Sequence, residues 1–552
     1  MYSSNSSNLI FFLLLAFLPI LLSCSHEDPA EGKAIFRYNE SKGIPTLDPA
    51  FAKSQVTIWP INQLYNGLLQ MDDHLNVIAC IAKKWTISED GKTYKFILRS
   101  DVFFHDHKLF PDGKGRKVVA KDFVFSLSRI TDPAVASPGA WIFSALDKNE
   151  QNNSSGMKAV SDTVLEIYLK KPFPAFAGIL TMQYCSVVPE EIVKHYGNDF
   201  RSNPVGTGPF YLKMWVEGEK LVMRKNPHYF EKDSSGNTLP YLDAVAITFI
   251  NDKQSEFLEF IKGNLDFISG VNASNRDELI TRKGKLKEKY FDKFILQTTP
   301  FLNTEYLAFL LDTSFTLVKN SPWKHKKVRK AINYGFDRKK MMTYLRNNLG
   351  TPAEAGFIPK GMPAFSENFK AYNYNPELAA KLLSEAGYPS GKGLPEILLT
   401  TTSDYLDLCE YIQHELAQIG IKIKIDVNTG ATFRDMIAES KLGFFRGSWI
   451  ADYPDAENYL ALFYSPNFCP KGPNYTHYCN PVFDKLYEEA MLETNDSLRF
   501  ELYKKMDQFI TEEAVVVPLY YDMAVRFFTK RLDNFKGNPL NLLNIKTVKM
   551  KD

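Results

Sequence analysis

Cysteine is scarce in this chain, six in 552 residues, with no C-x-x-C pair and no repeated spacing. A structural zinc framework needs thiolates or imidazoles at short, regular intervals, so none is expected. An excess of charge of one sign is missing too, with 66 Lys plus Arg against 64 Asp plus Glu. Nothing marks a polyanion as partner, and no nucleic acid is expected. Tryptophan numbers only six, few for a site that stacks sugar rings. The apolar run at residues 9–22 stops at fourteen, short of the roughly twenty a spanning helix requires. Catalytic signatures fail as well. His414-Glu415 has Gln418 where a zinc protease helix needs its second histidine, and no G-x-S-x-G elbow occurs. His105-Asp106-His107 offers metal-ligating groups without a third ligand nearby in sequence. No catalytic residue, metal or cofactor is therefore expected, and the chain reads as a protein that is not an enzyme.

Aromatic residues are what the chain has in quantity: 41 Phe and 28 Tyr, bringing the aromatic share to 14%. Large cores account for most of them, and the lining of a roomy cavity for the remainder. The length is too great for a single core and implies two to four domains. Residues 9–22, with Pro19 near their end, fit the apolar centre of a secretory signal peptide over residues 1–23. The leading MYSSNSSN carries no Lys or Arg, which leaves the α-amine as its positive charge. Leu21-Leu22-Ser23-Cys24 resembles a bacterial lipobox, so Cys24 is expected to become a lipidated N-terminus, with residues 24–33 as tether. The chain would then be exported, to the periplasm or the cell surface, and held there by its lipid. Cys469 and Cys479 enclose a Pro/Gly/Asn-rich loop. In an oxidising compartment they form a disulfide or stay free, and the spacing leaves both open.

Periodicity places the elements. Asp90-Gly91 is a hairpin dipeptide, followed by Tyr94, Phe96 and Leu98 at alternate positions and preceded by Trp85 and Ile87 on the partner strand. Phe123, Leu127 and Ile130 recur at helical spacing, so a helix begins near Lys121. Residues 34–38 read as the first strand of the mature chain and residues 164–169 as another. Asn203-Pro-Val-Gly-Thr-Gly-Pro-Phe210 lacks the Lys-Ser/Thr of a phosphate loop and reads as a structural turn feeding a strand. Val328, Ala331, Ile332 and Phe336 share one helical face, and Asn375-Pro376 caps a helix that Gly387 stops.

The pattern W-x-x-S-x-D-G-x-x-Y-x-F-x-L-R from Trp85 to Arg99 is followed by V-x-F-H-D from Val102 to Asp106 and A-x-D-F-x-x-S-x-x-R from Ala120 to Arg129. Together these resemble the signature of the family 5 extracellular solute-binding proteins, which include the oligopeptide and dipeptide receptors of bacterial ABC importers. The loop from His107 to Val119 is longer than the family's usual one. Leu47-Asp48-Pro49, Asn226-Pro227-His228, Gly263-Asn264-Leu265-Asp266 and residues 515–521 follow in the family's order, so the resemblance spans nearly the whole mature chain.

The resemblance implies an α/β, two-lobed fold of the periplasmic-binding-protein type (type II, cluster C) with an extra domain. One lobe would comprise residues 34–66, 201–299 and 516–552, the extra domain residues 67–200 and the second lobe residues 300–515. Two crossing segments, near Pro300 and Pro518, would form the hinge. Gly447-Ser-Trp-Ile-Ala-Asp-Tyr-Pro-Asp455 resembles the W-x-A-D stretch whose aspartate meets a peptide's α-ammonium group, which carries that role to Asp452 with Trp449 and Tyr453 beside it. Residues 35–38, with Tyr38, and residues 47–48 are expected on the opposite wall, and Tyr475 and Tyr478 near the cleft or on the surface. The alternative role is structural, with Asp452 or Asp455 capping a Tyr-Pro turn. Short peptides, an ABC permease with its ATPase subunits and, through the lipid, the membrane are the implied partners of a monomer. The alternatives are a non-peptide ligand (metal chelate, haem, glutathione or oligosaccharide), a lipoprotein serving a signalling partner, and, in another class, an exported hydrolase.

Overall fold

Asp90-Gly91 turns the chain as its sequence demands. Gly91 takes φ 69°, Ser88 Oγ donates to Asp90 Oδ1 at 2.5 Å, and Thr93 N–H donates to Ser88 Oγ at 2.9 Å. The S-x-D-G motif is thus a self-contained turn. In the computed structural model, which describes residues 32–148, 156–270 and 273–551, this hairpin joins Ala82–Ile87 to Thr93–Leu98 in a four-stranded antiparallel sheet with Val164–Tyr168 and Met157–Ser161. The expected signal segment, Cys24 and most of its tether lie outside the described residues.

Tyr94, Phe96 and Leu98 are buried as their alternation predicts. Their partners differ from expectation: Trp85 is half-buried and Ile87 is 47% exposed, because Ala82–Ile87 is the sheet's edge strand. Helix Ala120–Ile130 begins one residue before Lys121, with Val119 N–H donating to Asp122 at 2.9 Å. Arg129 on that helix makes a bidentate bridge to Asp48 at 3.1 and 2.8 Å, so two separate motifs meet in one ion pair.

The His-Asp-His triplet serves the fold. His105 is buried, its Nε2 3.0 Å from Gly208 O, and Gly206 N–H lies 3.3 Å from its Nδ1. Burial, working against the Gly208 contact, pulls its pKa down to about 4. His107 contacts the Tyr196 hydroxyl at 3.2 Å. Gly206 and Gly208 lie so close to the backbone of Leu64 that a Cβ would sit 2.1 Å from its O and 2.4 Å from its C respectively. The glycines of that turn exist for this close approach.

An eleven-stranded mixed sheet carries the rest. Its path runs Ile423–Asn428, Ile397–Thr402, Phe444–Ile450, Phe294–Phe309, Val516–Thr529, Phe267–Ser269, Ile35–Asn39, Ala244–Thr248, Lys220–Lys225 and Phe210–Val216, with Thr351–Pro352 added beside Val516–Thr529. The two central strands are long and antiparallel, each passing from one half of the molecule to the other. They pair from Phe294 with Thr529 to Pro300 with Met523, lose register, and pair again from Thr304 with Tyr521 to Ala308 with Val516. Across the break Leu302 bonds elsewhere, its N–H to Pro539 O at 2.9 Å and its O to Ala451 N–H at 2.8 Å.

Pro300 therefore lies at the crossing, as expected, but the return crossing is at residues 521–523. Pro518 sits opposite Tyr306, and Val517 and Leu519 lie in the core of the second half. The apolar clusters divide accordingly. One gathers Phe36, Trp59, Phe96, Phe123 and Ile247, and others gather Leu302 with Tyr459 and Phe309 with Val328. Helix Lys326–Tyr334 buries the face predicted for it, and Asn375 caps Pro376–Glu385 by accepting Leu378 N–H at 2.9 Å.

Cys469 and Cys479 are both free in this structure. Cys479 is exposed, whereas the Cys469 thiol is turned inward onto Ser440 and His477.

Candidate ligand cleft

Strand Phe444–Ile450 delivers the W-x-A-D stretch to the break between the long strands. Ala451 N–H is tied to Leu302 O, and a short helix, Glu457–Leu460, follows at once. Asn458 on that helix organises the turn. Its Oδ1 accepts Trp449 Nε1–H at 2.9 Å and Asp452 N–H at 3.2 Å, and its Nδ2 reaches Asp452 Oδ2 at 3.4 Å. Asp455 accepts Glu457 N–H at 2.9 Å and pairs with buried Arg499 at 3.2 Å, so the capping role belongs to Asp455. Glu457 is buried beneath the turn, accepting the hydroxyls of Tyr453 and Tyr487. Burial lifts its pKa to about 7, against those two hydrogen bonds and with help from Asp455 and Asp452.

Asp452 itself points into a cavity of about 260 Å³ between the two halves of the molecule. One wall holds Phe301, Ile450 and Asp452, and the other holds Lys53, Trp59, Met182 and Tyr184, with Leu540 to Leu542 alongside. Asp452 stays open to the cavity's solvent, yet protein surrounds it. That loss of hydration raises its carboxyl above the ordinary range, opposed by the Asn458 hydrogen bond. It forms no ion pair with any described residue. Lys53 is the cation of the lining, exposed, and its ammonium likewise has no partner among the described residues. Tyr184 is pinned against Gly139, where a Cβ would lie 2.6 Å from its ring. Burial, with the Asp452 charge adding to it, pushes its hydroxyl up to about 12.

A second cavity of about 270 Å³ adjoins the first and shares Met71, Thr181, Met182, Gln183 and Leu542 with it. Its lining is amide-rich, with Asn62, Asn66, Gln70 and Asn544, and holds Lys536 and Lys546. Lys546 is bound to Gln70 Oε1 at 2.9 Å and to the Glu231 carboxylate, while Lys536 faces Asp73 at 3.2 Å.

Of the residues the sequence singled out, Asp452 alone lines the cavity. Trp449 is half-buried behind it. Tyr453 is buried with its ring 6.4 Å from Trp141 of the opposite half, closing the cleft's edge. Two placements are corrected. Tyr38 is 1% exposed, inside a cluster of Phe36, Trp59 and Phe267, because its strand lies mid-sheet and that position faces the core. Tyr475 packs on the second half's core instead of the cavity. Leu47 and Asp48 also miss the wall, Leu47 being buried and Asp48 held by Arg129. Sequence reasoning missed Lys53, Tyr184, Asn458 and the 540–542 segment. Nothing local marks them, apart from the position of Lys53 just after the Leu-Asp-Pro turn.

The family model "Bacterial extracellular solute-binding proteins, family 5 Middle" matches residues 76–468. The chain belongs to this family. Among its relatives, the glutathione-binding protein GsiB of Escherichia coli K12 is 26% identical over 496 residues, 89% of each chain. The periplasmic oligopeptide-binding protein OppA of Escherichia coli K12 is 27% identical over 533 residues, covering 93% of this chain and 91% of the relative. The solved structure of the periplasmic binding protein DppA from Helicobacter pylori, in complex with the peptide STSA, superimposes with a TM-score of 0.74 at 24% identity, covering 94% of this chain and 98% of that one. The fold is therefore the two-lobed one of the periplasmic binding proteins. The family is made up of substrate-binding proteins of transporters, which speaks against the hydrolase alternative. No helix among the described residues is long and apolar enough to cross a membrane.

Proposed function

We propose that this solute-binding protein captures short peptides in the interlobe cleft and presents them, as a monomer, to an ABC permease driven by separate ATPase subunits. The observation that carries this reading is the pair of opposite charges, Asp452 and Lys53, each without an ion pair among the described residues, on the lining of one 260 Å³ cavity. A peptide of any sequence offers an α-ammonium group for the carboxylate and an α-carboxylate for the ammonium. Charge-assisted bonds at both ends fix the ligand's termini and leave its side chains to the apolar wall and the amide-rich second chamber. Both chambers are near the low end of the about 300–1,000 Å³ usual for small-ligand sites, which favours ligands of a few residues. Contact with both lobes at once would make the ligand select the closed arrangement.

Lipidation at Cys24 would hold the carrier at the membrane after export. Loss of labelled fatty acid in Cys24→Ser tests that part, and equal labelling of the variant would refute it. The ligand is tested by native mass spectrometry of protein lacking residues 1–24, followed by denaturation and identification of what is released. A ladder of short peptides, lost with Asp452→Ala, is the expected result. A second reading rests on GsiB, whose name gives glutathione as its ligand. Glutathione is itself a small peptide with an ammonium group, and a single released species of that mass would favour it.

A further inference from the structure

A second set of reactive groups lies in the loop ending at Cys479 and shares no lining residue with the cleft cavity. Cys469 Sγ is 3.3 Å from His477 Nε2 and 3.2 Å from Ser440 Oγ, and Ser440 Oγ is 3.0 Å from the same ring nitrogen. The other nitrogen, Nδ1, is buried, makes no hydrogen bond, and lies 3.6 Å from Asp312 Oδ2. The imidazole is 9% exposed, stacked on Phe468 at 4.5 Å and met edge-on by Phe315 at 5.3 Å. Ser440 (φ 55°) and His477 (φ 49°) both occupy the left-handed region that non-glycine residues seldom adopt. Asp312 is anchored by Ser314 N–H at 2.8 Å. Although burial acts the other way, that bond and the imidazole hold its carboxyl below the ordinary range. A pocket of about 480 Å³ opens on Asp312, Phe468, His477 and Cys479, with Lys324 and Arg329 completing the charged groups around it, while Cys469, 5% exposed, is reached only past the His477 ring it contacts.

We propose that Cys469 is a reactive thiol, with His477 as its base and Asp312 steadying the imidazolium, and that it reacts with low-molecular-weight disulfides. In the step, the Cys469 proton moves to His477 Nε2 and the thiolate attacks one sulfur of RS–SR. The old S–S bond breaks, a Cys469–S–S–R bond forms, and the departing RS⁻ takes the proton back. Acyl transfer fits less well, because an oxyanion needs free N–H donors. Here Cys469 N–H is given to Asn474 O at 3.3 Å and Ser440 N–H to Ile437 O at 3.0 Å. The other buried thiols have no such relay. Burial pushes Cys80 up to about 12 and Cys409 to about 11.

The full chain is treated with bis(hydroxyethyl) disulfide at about pH 6.5, quenched with acid and mapped by peptide mass spectrometry. Cys469 should gain the adduct at least about tenfold faster than exposed Cys479, and His477→Gln should slow Cys469 about tenfold while leaving Cys479 and the melting temperature unchanged. Asp312→Asn should move the pH profile of Cys469 upward. Adduct at Cys479 alone in the folded protein, or a Cys469 rate indifferent to His477→Gln, would overturn the proposal. If the His477 variant does not fold, the unmodified chain decides. Adduct at Cys469 ahead of exposed Cys479 supports the relay, and adduct at Cys479 first overturns it.

Discussion

Asn458 and Asp452 touch at two points, the Asn458 Oδ1 accepting the Asp452 N–H at 3.2 Å while its Nδ2 reaches the carboxylate at 3.4 Å. The same Oδ1 takes the Trp449 indole N–H, so one amide sets both the backbone and the side chain of the proposed ammonium site. Asn458→Ala should weaken peptide binding roughly tenfold, the worth of one hydrogen bond to a charged group. Isothermal titration with a peptide recovered from the native protein is the check.

The two cavity charges separate the ends of the ligand. Asp452→Asn should cost roughly a hundredfold in affinity for peptides with a free amine, and little for N-acetylated ones. Lys53→Met should do the same for free against amidated C-termini, with a smaller loss because Lys53 is solvated. A Lys53 variant that binds both forms as tightly as the parent would remove Lys53 from the site.

Binding should also follow pH. The Asp452 carboxyl titrates above the ordinary range because protein surrounds it. Below that raised value it is neutral and attracts no ammonium group, so affinity should rise with pH through it and then level off. Asp452→Asn should be flat over the same interval. Titrations from about pH 4 to pH 8, on the parent and the variant, make the comparison.

Stability has its own titration at Asp507, buried where Phe357 N–H donates to it at 2.6 Å. Burial lifts this carboxyl to about 7 against the N–H groups of Phe357 and Ile358, while an unfolded aspartate titrates near 3.9. Between the two values the folded state holds more protons, so its stability is full below about pH 4 and is lost as pH rises through 7. The loss should be on the order of 2–4 kcal/mol. Asp507→Asn keeps the acceptor without the charge and should flatten the denaturation profile over that range.

Gly356 leans on the same carboxylate. A Cβ there would lie 1.9 Å from Asp507 Oδ2 and 2.3 Å from its Cγ, against a side chain that is 7% exposed and held by Phe357. Gly356→Ala should cost about 1–3 kcal/mol in urea unfolding. Most of that should return when Asp507 is also replaced by Ala, the non-additivity expected of residues in contact.

Local chemistry made parts of this molecule readable. The Ser88-Asp90-Gly91 turn, the Asn375 cap and the helix face of Val328, Ala331 and Ile332 are each decided by neighbours within a few positions, and each stands where spacing put it. Asp452 was legible through a motif. The rest of the cleft was not, because distant segments build it. Trp59 joins the wall through its indole N–H on Asn541 O at 2.8 Å, a contact spanning nearly the whole chain. Tyr38 shows the other limit: alternation says that one face of a strand is buried, but which cavity or core that face meets depends on the sheet's neighbours. The resemblance put the return crossing near Pro518, a few residues short of the break opposite Pro300, because the exact register of two long strands is set by their pairing and not by a motif.

The gap in the ladder between Pro300 and Thr304 restricts how the halves of the molecule can move. Each paired stretch lies on one side of the gap, so displacing the halves without rotation would stretch the two covalent chains that cross it. Rotation of the backbone at residues 301–303 and at Asp522 breaks none of the pairs between these two strands. The molecule is left with bending and twisting about one short axis as its inexpensive motion. If the cleft works as proposed, Asp452 and Lys53 approach one another about that axis, and the cleft gauges the distance between a ligand's two ends as it shuts.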